Sequence, residues 1–178
     1  MTDSLSISIR PLTLADEPFL WEMLYQALYV PKGGEPHSRD IVKRPEISRY
    51  AQDWGNCDDM GVVAIDEIDG RPIGAAWIRL LTNENKGYGF VDDKTPEISI
   101  AVVPEYRGRG VGTRLLVRLL TKAQTRYRAI SLSVSLDNPA VRLYQRLGFE
   151  SVGTSGNSLT MIRRMESAVD AKIRYPGS

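Results

Sequence analysis

The stretch ISIAVVPEYRGRGVG, residues 98–112, decides how the chain is read. Ile98, Ile100 and Val102 alternate with Ser99 and Ala101, a period of two that lays one apolar edge of a strand on a core. Pro104 has no N–H to give to a ladder and ends the strand. Arg107-Gly108-Arg109-Gly110-Val111-Gly112 follows, and a strongly amphipathic helical run begins near Val111. A strand, a glycine-rich turn and a helix N-terminus together form an anion-binding arrangement. Glycine lets backbone approach the ligand, unpaired N–H groups point outward, and the helix dipole favours negative charge. Arg107 and Arg109 add forked cations suited to phosphate, which makes a pyrophosphate the expected ligand. The spacing of glycines 108, 110 and 112 is neither the G-x-G-x-x-G of a dinucleotide fold nor a G-x-x-x-x-G-K-[ST] loop.

Composition narrows the remaining classes. The 178 residues suffice for one domain with a sizeable core, spanning 1–178. With 23 basic against 22 acidic residues, charge gives no reason to expect a nucleic acid or an anionic membrane as partner. No apolar run approaches the roughly 20 residues of a membrane span. The start, MTDSLSISIRP, lacks a basic-then-apolar leader, so a cytoplasmic protein is expected. One histidine and one cysteine rule out a His/Cys zinc site, and no metal is expected. His37, in KGGEPHSRD, reads as a solvated loop residue, and Cys57 as a small semi-buried apolar one.

Taken in order, Leu5 to Arg10 predicts an opening strand that stops at Pro11. Thr13 is placed to cap a helix whose apolar stripe runs through Phe19, Leu20, Met23, Leu24, Ala27 and Leu28. Trp21, Tyr25 and Tyr29 fall on a neighbouring face, where packing on the sheet accounts for them. After a loop, Ile47, Tyr50, Ala51 and Trp54 predict a second helix over 45–54. GVVAID (61–66) and RPIGAAWIRLL (71–81) predict a hairpin turning at Asp69-Gly70. Residues 83–93 read as loop. Leu115, Leu116, Leu119, Leu120 and Ala123 line a helix, and Ile130, Leu132 and Val134 a strand at 129–135. Asn138 is expected as N-cap with Pro139 in the first helical position, and Gly148 as the left-handed residue closing that helix. Two strands, 149–152 and 158–164, should finish the fold, with a loose tail beyond Asp170.

Arg107, Gly110 and Gly112 occupy the fixed positions of R/Q-x-x-G-x-G/A, and the stretch resembles the acetyl-CoA pyrophosphate loop of the GNAT N-acetyltransferases. Residues 138–149, NPAVRLYQRLGF, resemble that family's second signature, N-x-x-A-x-x-L-Y-x-x-x-G-F, at the separation the family shows. The match is close from Glu97 to about Val152; before residue 90 only the order of elements agrees. The resemblance implies an α/β (α+β) fold, a mixed and mostly antiparallel central sheet flanked by helices. Strands 97–103 and 129–135 would be parallel neighbours that splay apart to hold acetyl-CoA. It also implies cofactor contacts from the backbone of Ala101, Val102 and Val103, from residues 107–113 (Arg107, Gly108, Arg109, Gly110, Val111, Gly112, Thr113), and from Asn138 and Tyr144.

Acetyl transfer to an amine needs a base to free the nitrogen lone pair, a donor for the developing oxyanion and an acid for the departing thiolate. Tyr144 holds the family's acid position. Glu97 opens the strand where relatives place a carboxylate, and its bland alternative is an exposed Glu at a strand start. The Val102 N–H is the expected oxyanion donor, and Asp92 and Asp93 read as turn residues. The expected activity is N-acetyl transfer to a primary amine by direct attack. The tryptophans 21, 54 and 77, with Tyr88, lean toward a small-molecule pocket. A protein N-terminus or lysine, or a non-catalytic acyl-CoA-binding regulatory module, stands as alternative. Exposed strand edges make a homodimer an expectation.

Overall fold

The computed structural model describes residues 6–165. Its strands are β1 (Ile7–Pro11), β2 (Met60–Asp66), β3 (Pro72–Arg79), β4 (Glu97–Val102), β5 (Ala129–Ser135), β6 (Glu150–Ser155) and β7 (Ser158–Arg164). They form one sheet in the order β1-β2-β3-β4-β5-β7-β6. Every neighbouring pair is antiparallel except β4 and β5, which run parallel. The hairpin predicted at Asp69-Gly70 joins β2 to β3, and the expected mixed, mostly antiparallel sheet is present. Leu5 and the tail beyond Asp170 lie outside the described residues.

Helices cover both faces. Helix α3 (Val111–Ala123) buries Leu115, Leu116, Leu119 and Leu120 against Ile98, Val102, Ile130, Leu132 and Val134. Each such leucine contributes about 2 kcal/mol of burial. Helix α1 (Glu17–Ala27) packs Leu20, Met23 and Leu24 on the other face, over Ala75, Trp77 and Ala101. A turn of 3-10 helix at Leu14–Asp16 precedes α1. Thr13 caps that turn: its N–H donates to Asp16 Oδ2 at 2.7 Å, and Arg10 grips the same carboxylate with two nitrogens at 2.8 Å. Helix α4 (Ala140–Arg146) begins one residue later than expected. Asn138 Oδ1 nevertheless accepts the Ala140 N–H at 2.9 Å, and Gly148 (φ +85°) ends the helix as expected.

The second helix is shorter than predicted. Helix α2 covers only Pro45–Ser48, although Ile47, Tyr50, Ala51 and Trp54 are all buried as their spacing required. The cause is Arg79. Its guanidinium, paired with Asp59 at 2.9 Å, donates to the carbonyls of Arg49, Gln52 and Asp53, which are thereby withdrawn from helical use. Cys57 is exposed rather than semi-buried.

Candidate active site

Strands β4 and β5 pair at a single position, Glu97 with Ser131, and separate beyond it. The Ser131 N–H still reaches Pro96 O at 3.0 Å. Just past that bridge the loop before β4 lies directly on β5. A Cβ on Gly89 would fall 2.6 Å from the Leu132 carbonyl carbon and 2.8 Å from the Ser133 nitrogen, so only glycine allows this approach.

The register with β3 fixes which backbone groups face the gap. Val103 N–H donates to Ile73 O at 2.9 Å, and Ala101 stands opposite Ala75. Antiparallel alternation then turns the N–H and C=O of Ile100 and Val102 away from β3, toward the missing partner. Arg107 Nε donates to Val102 O at 2.9 Å, which leaves the Val102 N–H and both groups of Ile100 facing the gap. The Val102 N–H thus faces the gap, where an oxyanion donor was expected. Val103 is corrected, because its N–H is committed to β3 and it lines neither cavity described below. Ala101 also lines the larger cavity, and the Ile100 backbone, which the sequence reading did not single out, faces the gap beside Val102.

A cavity of about 740 Å³ runs from this gap under the glycine loop. Gly108 (φ +69°) and Gly110 (φ +82°) are left-handed, and a Cβ at either would meet nothing, so the loop is open toward the cavity. Gly110 caps α3, whose first-turn N–H groups, those of Val111, Gly112 and Thr113, have no intrahelical acceptor. Gly108 and the residues from Gly110 to Thr113 line this cavity together with Asn138. Arg107 lines it too, but as a strap more than a free fork: its Nη2 donates to Gln26 Oε1 at 2.8 Å on α1. Arg109 lines neither cavity and lies over the Tyr106 ring, 5.8 Å from its centre.

A second cavity, of about 360 Å³, lies between α1, the segment before α2 and the inner faces of β4 and β5. The two cavities share walls at Ile100, Asn138 and Tyr144. The Tyr144 ring packs edge-to-face on Phe149, 5.8 Å between centres. Packing holds the ring, while among the described residues nothing hydrogen-bonds its hydroxyl. Burial pushes that phenol up to about 12, so the proton stays on it through neutral pH.

Glu97 lines the second cavity and is 3% exposed, which overturns the reading of it as an exposed strand-start residue. Its Oε1 accepts from the Gly89 N–H at 2.6 Å and from the Tyr50 hydroxyl at 2.9 Å, and Tyr50 accepts the Tyr88 N–H at 2.7 Å. Its Oε2 has no partner. Burial pushes the carboxyl above the usual carboxylate range, against the pull of the hydrogen bonds from Gly89 and Tyr50.

The remaining expectations divide. Asp93 Oδ1 caps Asn83 N–H and Asp92 Oδ1 accepts from Lys94 N–H, so both are turn residues. Trp54 and Trp77 are buried in the core, and no tryptophan lines either cavity. Tyr88 does line the smaller one. Tyr29 and His37 line both, although His37 is exposed as expected and Tyr29 had been assigned to packing. Nothing in the local sequence ties Tyr50 or Gly89 to Glu97; only the folded loop does.

An uncharacterized N-acetyltransferase of Methanocaldococcus jannaschii is 31% identical over 128 residues, 69% of this chain and 54% of the relative. The chain spans about half the length of the curated relatives it matches. The N-acetyltransferase PaiA of Thermoplasma acidophilum, solved with coenzyme A, superposes with a TM-score of 0.63 at 19% identity, over 89% of this chain and 99% of that one. The ribosomal-protein-S18-alanine N-acetyltransferase of Escherichia coli gives 0.62 at 19% identity, over 92% and 96%. At such identities the likeness is one of fold. The family assignment rests on the chain itself: residues 21–149 match the acetyltransferase (GNAT) family, and the protein belongs to it.

Proposed function

We propose that this chain transfers an acetyl group from acetyl-CoA to a primary amine, a small-molecule amine in preference to a protein one. One observation carries the reading: Tyr144 stands in the wall common to two cavities, one under a glycine loop and one beside a buried carboxylate. The larger fits the CoA arm. Its glycine loop and first-turn N–H groups suit a pyrophosphate, and the unpaired backbone of Ile100 and Val102 suits an amide-bearing chain. When bound, acetyl-CoA supplies an activated thioester.

The residues of the chain then divide the work. The Val102 N–H faces the gap and donates to negative charge developing on a carbonyl oxygen held there. Tyr144 keeps its proton through neutral pH and donates it to a thiolate that forms beside it. Glu97 receives the proton of the amine. Glu97 and Ile100 are three residues apart, about 10 Å along an extended strand, so that proton travels through solvent in the cavity. Cys57 lines neither cavity, which supports direct attack in a ternary complex over an acyl-cysteine route.

The cavity of about 360 Å³, at the small end of ligand sites, supports the small-molecule preference. The test is release of CoA from acetyl-CoA in the presence of an amine library and of protein acceptors. Amine-dependent release with a mono-acetylated product supports the reading. Tight acetyl-CoA binding with no acceptor turned over makes the chain an acyl-CoA-binding regulatory module instead.

A further inference from the structure

The charge inventory of the acceptor cavity restricts what enters it. Among the described residues, Glu97 is the only carboxylate in its wall, and no lysine or arginine lines it. His37 stands at the exposed rim. Ser99, Ser133 and Ser135 line the sheet side, half-buried, because alternation along β4 and β5 puts these odd-numbered positions on the face that carries Glu97, and half-buried Ser158 joins them from β7, opposite Ser135. Leu24 and Ile47, both buried, line the opposite side. The cavity is therefore amphipathic, with hydroxyls along one wall, aliphatic carbon along the other and a single negative charge.

A buried charge without a counter-charge is expensive. A ligand carboxylate would find no cation among the described wall residues, since Arg49, whose charge acts on Glu97, does not line the cavity, and it would face Glu97 besides. A second ligand ammonium would find no second anion among the described residues of the wall. We infer that the acceptor is a primary monoamine, with one cationic nitrogen, no anionic group, and an apolar body carrying neutral hydrogen-bonding groups along one edge. This rests on the acetyl-transfer reading of the same cavity, and amino acids with a free carboxylate and polyamines are thereby disfavoured.

The test is calorimetric titration of the full chain, saturated with CoA, with tyramine, tyrosine, tyrosine methyl ester and spermidine. Tyramine and tyrosine differ by one carboxylate, and the ester restores neutrality without removing bulk. Tyramine and the ester are expected to bind at least tenfold more tightly than tyrosine and spermidine. Glu97→Gln, which keeps the shape, should lower tyramine affinity at least tenfold and leave CoA affinity unchanged. Spermidine or tyrosine binding as tightly as tyramine, binding by none of the four, or indifference of tyramine to Glu97→Gln overturns the inference. The two readings fail separately. Acetylation of spermidine in preference to tyramine removes the monoamine inference and leaves acetyl transfer standing. Selective tyramine binding without turnover of any amine removes acetyl transfer and leaves the selectivity of the cavity.

Discussion

The Tyr50 hydroxyl donates to Glu97 Oε1 at 2.9 Å across 47 residues of sequence, and it accepts the Tyr88 N–H at 2.7 Å. One phenol thus ties α2's continuation, the loop before β4 and the candidate base together. Burial raises the Glu97 carboxyl and this hydrogen bond lowers it. Tyr50→Phe removes the lowering contribution, so the acidic limb of the pH–rate profile should move to higher pH by on the order of one unit. The orphaned Tyr88 N–H should also cost about 1–3 kcal/mol of stability. A limb that stays in place in a folded variant would remove Glu97 from the role of base.

Gly110 separates fold from ligand. At φ +82° a side chain is strained, but a Cβ meets nothing within the protein. Gly110→Val should therefore fold with a loss of about 1–2 kcal/mol, while acetyl-CoA affinity drops at least tenfold. Gly112→Ala is the control for strain, since its Cβ would stand 3.7 Å from Ile100 Cδ1, an ordinary contact, and stability should hold. Unchanged calorimetric binding by folded Gly110→Val would contradict the pyrophosphate assignment.

Arg79 and Asp59 form a buried ion pair, 7% and 4% exposed, and Arg79 also holds three carbonyls of the α2–β2 connection. Arg79→Ala leaves Asp59 buried without its cation. The expected loss is about 3–5 kcal/mol, or a fall in Tm on the order of 10 °C. Denaturant unfolding that shows less than about 1 kcal/mol would mean that solvent replaces the guanidinium without loss.

The pair Arg10–Asp16 predicts an acid transition. Hydrogen bonding by Arg10 holds the Asp16 carboxyl at about 2, below its ordinary 3.8. A lowered folded-state value gives stability that is present above the ordinary value and lost as pH falls through the folded one. Arg10 is 45% exposed, so solvent screening holds the contribution to about 1–2 kcal/mol. Asp16→Asn should lose that amount at neutral pH and show a shallower decline between about pH 4 and 2. Parallel stability curves for the two proteins would refute the assignment.

What was legible in the sequence was local. Glycines 108–112, the leucine stripe of α3, the Asp69-Gly70 turn and the Gly148 stop are each read from neighbouring residues, and each stands where expected. Contacts made by distant residues were not legible. Helix α2 stops early because Arg79, 30 residues on, takes its carbonyls. Glu97 is buried because the loop at 87–89 folds back over it. Ile100 and not Val103 faces the gap because register with β3 decides it, and a strand read alone does not say which of its edges is paired. The acceptor cavity draws on α1, α2, β4, β5 and β7, so no short motif announces it.

The account stands most directly on the Tyr144 hydroxyl. Tyr144→Phe keeps the ring, its edge-to-face contact with Phe149 and the apolar volume, and removes one oxygen. The measurement is kcat for an accepted amine, wild type against Tyr144→Phe, at matched saturation with acetyl-CoA. Loss of a general acid predicts a fall of roughly 10²–10⁴ in kcat, with acetyl-CoA affinity changed by no more than about 1 kcal/mol. Equal turnover by the two proteins would contradict the account and leave Tyr144 as a packing residue between two cavities.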